Sequence, residues 1–143
     1  MKTIIWSFLS ALSLVSAIAA AEPQAAPPDL TQAREVDRSR TYNLGATGLR
    51  GWIHSKPATH FDGLQGRTTD ASRQILVTHV GAGSPADGVV QVDDVILGAG
   101  GRPFAGDARK GIAVAIQEAE KEANGGLLRL SCWRAGRVVE LQL

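Results

Sequence analysis

Gly45-Ala46-Thr47-Gly48-Leu49-Arg50-Gly51-Trp52-Ile53 is a glycine-punctuated loop that runs straight into an apolar strand candidate. Glycine at positions 45, 48 and 51 permits tight turning. Successive backbone N–H groups aimed one way form a concave anion site. A strand that begins at once after such a loop suits the capture of a peptide end by main-chain hydrogen bonds. By itself the stretch also reads as an ordinary glycine turn, so its role depends on what surrounds it.

Downstream, Arg73–Val80 is the clearest strand, rich in β-branched residues and free of breakers. Gly81-Ala82-Gly83-Ser84-Pro85-Ala86 then turns sharply, with Ser84 a candidate cap and Pro85 suited to the first position of a short helical turn. Val92–Ala99 gives another strand, and Gly100-Gly101 is a hairpin signal. Asp107 opens the one substantial helix, expected to run to about Ala123. Its core stripe is Ala108, Ile112, Ala115, Ile116 and Ala119, and Asn124-Gly125-Gly126 is its stop. The last strands are Leu128–Trp133 and Val138–Leu143, each alternating apolar residues onto one face. With Tyr42-Asn43-Leu44 as a short strand and Gly51–Ser55 as the strand after the loop, the fold class is α+β. The expected architecture is a small, mostly antiparallel β-sandwich or partly open barrel with one main helix and one short helix.

Upstream, residues 1–21 read as a secretory signal peptide. Lys2 supplies the positive start, an apolar run extends from Ile4 to Ala20, and alanine-rich cleavage patterns follow. An uncleaved membrane anchor is the alternative; after cleavage no stable membrane span is expected. Residues 22–40, with Pro23, Pro27 and Pro28, are expected to be a flexible linker, and residues 41–143 a single folded domain. The long polar connection over 56–71 completes the plan.

Among 143 residues, 15 Lys and Arg balance 14 Asp and Glu, with no basic block, which gives nucleic-acid binding little support. A lone cysteine, Cys132, forms no intramolecular bridge and reads as a small buried hydrophobe. No His or Cys cluster has metal-ligand spacing, and Gly98-Ala99-Gly100-Gly101 lacks the dinucleotide-loop pattern, so no cofactor is expected. Ser84 does not lie in a Gly-x-Ser-x-Gly setting, and His54, His60 and His79 are scattered, so the chain is expected not to be an enzyme.

The region Tyr42–Leu143 resembles a PDZ domain, most like the bacterial type attached to HtrA-like and C-terminal-processing proteases. The residues that carry this are Val80-Gly81-Ala82-Gly83-Ser84-Pro85-Ala86-Asp87-Gly88-Val89 followed by Val92-Asp93-Asp94-Val95-Ile96-Leu97. Asp93 stands where that pattern usually has glycine. The closing Trp133-Arg134-Ala135-Gly136-Arg137-Val138 is similar to the family's terminal hairpin. The whole also resembles the amino-terminal PDZ module of larger secreted bacterial proteins of unknown function.

The resemblance implies a secreted or periplasmic module that binds peptide or protein C-termini by strand addition. Leu49, Arg50, Gly51 and Trp52 would form the carboxylate loop, and the strand through Ile53 and His54 would receive the peptide. A line of Asp107, Gly111 and Val114 on the helix would be the opposite wall. In this reading Gly111 leaves room for ligand, and Asp107 disfavours an acidic ligand side chain. The alternative for Gly111 is closer packing of the helix on the sheet. Two other functions stay open: a substrate-recognition fragment of a secreted protease or other enzyme whose catalytic domain is absent, and a structural module whose groove is blocked by its own segment 22–40.

Overall fold

The computed structural model describes residues 26–32, 35–56 and 68–143. The expected signal peptide and most of the 56–71 connection lie outside the described residues. The domain is a small α+β unit, mostly antiparallel sheet with one helix. Strands β1 (Tyr42–Asn43), β2 (Leu49–Trp52), β3 (Ile75–Val80), β4 (Val95–Ala99), β5 (Arg102–Pro103), β6 (Arg129–Arg134) and β7 (Arg137–Gln142) are joined by helix α1 (Ala108–Ala119) between β5 and β6. The spatial order is β1-β2-β3-β4-β6-β7, with β5 paired to β4.

Local chemistry accounts for most of these elements. Glycines at 100 and 101 both have φ > 0, as the tight β4–β5 turn requires. Ala135 and Gly136 do the same for the β6–β7 hairpin, whose register runs from Arg134↔Arg137 to Arg129↔Gln142. Asp107 caps α1, its side chain accepting the Arg109 N–H at 3.0 Å. The helix ends at Ala119, earlier than the glycines imply, because Lys121 takes an extended backbone and starts a 3-10 turn over Glu122–Asn124. Asn124 Nδ2 and the Gly126 N–H then satisfy the free carbonyls of Glu118 and Ala119.

The segment after Ser84 is a chain of turns, not a helix. Ser84 does not cap it: its Oγ is buried with no partner among the described residues, while Asp87 Oδ2 accepts the Gly83 N–H. Among the described residues, the short helical pieces are the 3-10 turns Gly45–Thr47 and Glu122–Asn124.

The sheet buries both faces. One face carries the main core: Leu49, Ile75, Val77, Ile96, Leu130 and Cys132 pack against Ala108, Ile112, Ala115 and Ala119 of the helix. Burial pushes the Cys132 thiol up to about 12, so it serves as a packing residue. The opposite face carries Leu76 and Val95 with Trp52, Leu97 and Trp133, and is covered by Leu30 and Val36. Part of the expected linker is thus packed onto the sheet. Leu30 N–H donates to Gln74 Oε1 at 2.6 Å, Gln74 Nε2 donates to the Pro27 carbonyl, and Arg38 pairs with Asp93.

Two polar features tie the turns to the sheet. Asp94 is 2% exposed and receives Arg134 through both carboxylate oxygens, at 2.8 and 2.6 Å. Arg134 also donates to the Val89 carbonyl, and Asp94 accepts the Gln91 N–H, so the pair locks the 89–94 turn to the β6–β7 hairpin. Asp93 has φ +76°, a left-handed backbone that glycine adopts without strain.

Candidate functional site

The glycine loop is held from three sides. Gly45 (φ +64°) and Gly48 (φ +77°) bracket the 3-10 turn. Gly48 has no room for a side chain, because a Cβ there would overlap Ser84 Cβ. That close approach lets the Gly81 N–H donate to the Gly48 carbonyl at 2.9 Å and the Ala86 N–H donate to the Thr47 carbonyl at 3.2 Å. Thr47 Oγ1 donates to the Leu44 carbonyl at 2.9 Å and accepts the Leu49 N–H at 3.1 Å. Asn43 Oδ1 accepts the Gly45 N–H. The Leu49 amide, expected to help hold a carboxylate, is therefore already used inside the loop.

The strand after the loop begins at Leu49, not at Gly51, and both its edges are paired. Tyr42 stands opposite Gly51 and Asn43 opposite Arg50 on one side, with β3 on the other. The Leu44 N–H donates to the Leu49 carbonyl at 2.9 Å. Thus β1 occupies the start of the edge expected to receive a peptide, at Arg50 and Gly51.

The side chains follow from the strand's alternation. Leu49 and Ile53 are core residues, and Gly51 is buried where a Cβ would overlap Ile75 Cγ2. Trp52 packs on the opposite sheet face, edge-on to His54 at 6.3 Å between ring centres. The His54 carbonyl accepts the Ser72 hydroxyl at 2.6 Å. Arg50 reaches back to the residue before β1, donating to Thr41 Oγ1 at 3.0 Å and to the Thr41 carbonyl at 3.3 Å.

The helix presents a different flank from the expected one. Gly111 faces Phe104, not an open groove: a Cβ at 111 would lie 2.6 Å from Phe104 Cδ1. Asp107 is committed to the Arg109 N–H and to the Thr68 hydroxyl at 2.7 Å. Val114 is 58% exposed. The residues that reach β1 and the loop are on another line. The Arg109 guanidinium lies over the Tyr42 ring at 5.0 Å, and Ile116 Cδ1 is the neighbour a Cβ on Gly45 would meet. Arg109, Ile116 and Glu120 fall at i, i+7 and i+11, one continuous helix face.

Between this face and the loop lies a mainly apolar hollow of about 70 Å³. Ala46, Thr47, Pro85, Ile116, Leu128 and Leu143 line it, with Glu120 as its one charged residue. No family model matches the chain. No curated protein matches it either. Among the described residues no helix is long and apolar enough to cross a membrane, and no three metal-ligating side chains gather. The expected site set is therefore dispersed. Leu49, Gly51, Ile53 and Gly111 are packing residues, Trp52 and His54 belong to the far sheet face and its border, and the Arg50 side chain bonds Thr41 just before β1. Outside the expected set, Ala46, Thr47, Ile116 and Glu120 line the hollow, and Arg109 lies over Tyr42. The sequence signal for this line was the helical spacing of 109, 116 and 120.

Proposed function

We propose that the domain is an exported, non-catalytic PDZ-like module that binds the end of an extended peptide in the groove between β1, the glycine loop and α1. The carrying observation is the apolar hollow between the 3-10 turn and Ile116. Its size suits one aliphatic side chain, and it adjoins the 3-10 turn that follows β1, whose outer edge is unpaired among the described residues. The all-antiparallel sheet with one helix agrees with the resemblance. The ligand edge in this reading is that of β1, in place of the 51–55 edge, whose first residue, Gly51, pairs with Tyr42.

The test is binding of the full chain to a library of free-carboxylate peptides with amidated copies as controls. Selective enrichment of free, aliphatic C-termini is expected. Ile116→Glu should abolish that binding, whereas Val114→Glu should leave it unchanged. Enrichment indifferent to amidation would mean internal-strand recognition.

A second reading has one observation of its own. Because β1 fills the β2 edge, the chain supplies its own strand, as in a structural module. Absence of any enrichment would favour it. The blocking segment would then be β1, since the described part of 22–40 covers the other sheet face.

A further inference from the structure

Two guanidinium groups bracket β1 from opposite faces of the sheet. Tyr42 belongs to the main core, and Arg109 covers its ring from the helix side. Arg50 pairs with Asn43 one position on, so its side chain leaves from the other face before bonding Thr41. Both arginines are exposed, and neither has an acidic partner among the described residues. The nearest carboxylate in sequence, Asp107, is held by the Arg109 main chain and by Thr68. Lys110 adds a further exposed cation on the first turn of the helix.

Building on the peptide-end reading, we infer that this groove selects acidic peptides, with Asp or Glu about three residues before the side chain seated in the hollow. The spacing follows from geometry. Arg109 and Ile116 are seven helical residues apart, about 10 Å at a rise of about 1.5 Å per residue. An extended peptide covers that distance in about three residues at about 3.3 Å each. Its alternating side chains would meet Arg109 on one face and Arg50 on the other, so an acidic pair would engage both. The expected bias against acidic ligands at the helix start is thereby reversed: Asp107 is bonded, and Arg109 is the group beside β1.

The experiment uses the full chain and three fluorescent decapeptides ending in leucine with a free carboxylate. They differ only in having Glu-Glu, Gln-Gln or Lys-Lys at the third and fourth residues before the last. The Glu-Glu peptide is expected to bind about three- to fivefold tighter than Gln-Gln, as exposed charge pairs allow, with Lys-Lys weakest. The preference should fall with added salt and vanish in an Arg50→Gln, Arg109→Gln double variant that still binds Gln-Gln. Equal binding of all three overturns the acidic preference and leaves the groove reading standing. Binding of none overturns the groove reading and this inference with it.

Discussion

The ring of Phe104 occupies the space that a side chain at Gly111 would need, with Cδ1 2.6 Å and Cε1 3.0 Å from an ideal Cβ. The glycine is thus a packing device between the β5–α1 connection and the helix. Gly111→Ala should gain up to about 1 kcal/mol of helix propensity yet lose about 1–3 kcal/mol to overpacking. Thermal denaturation should show a lower midpoint. If Gly111 instead kept a groove open, the variant would be as stable as the parent and would bind peptide more weakly.

The Asp94–Arg134 pair should respond unequally to its two deletions. Arg134→Ala strands a carboxylate that is 2% exposed and should cost about 3 kcal/mol or more. Asp94→Ala leaves a guanidinium whose side chain is 23% exposed and able to reach water, so its cost should be smaller. Urea denaturation of both variants measures the difference, and equal losses would contradict the asymmetry.

Asp93 tests the left-handed turn before β4. With φ +76° it suits glycine, tolerates Asp, and strains a β-branched residue. Asp93→Val should lose about 1–2 kcal/mol, and Asp93→Gly should stay within about 1 kcal/mol of the parent after losing the exposed Arg38 pair. Chemical denaturation of the two variants gives the ranking.

Cys132 sets a pH limit. Its thiol is raised from 9.0 to about 12, chiefly by burial, with the Asp94 charge adding to the effect. The folded protein keeps this proton while the unfolded chain loses it. Stability contributed by the thiol is therefore present below about pH 9 and declines as pH rises toward 12. Denaturant midpoints between pH 8 and 11 should fall less in Cys132→Ala than in the parent, after correction for its lower starting stability. Alkylation of the native protein should proceed only as fast as unfolding.

The antiparallel sheet with one helix, the Asp107 cap, the Gly100-Gly101 turn, the final hairpin and the burial of Cys132 are legible in the residues alone. Each follows from chemistry within a few residues: alternation, a capping carboxylate, or glycine where φ is positive. Tertiary structure decided which residues adjoin the hollow. Helical spacing fixes the angle between Gly111, Val114 and Ile116, but not which neighbour lies on which flank. Only packing places Phe104 against Gly111 and the glycine loop against Ile116. Likewise the Tyr42↔Gly51 register, which closes the β2 edge, and the covering of Trp52 and Trp133 by Leu30 and Val36 come from contacts between chain segments. Such contacts are chosen by the burial available once the sheet has formed, and local patterns in the chain do not encode them.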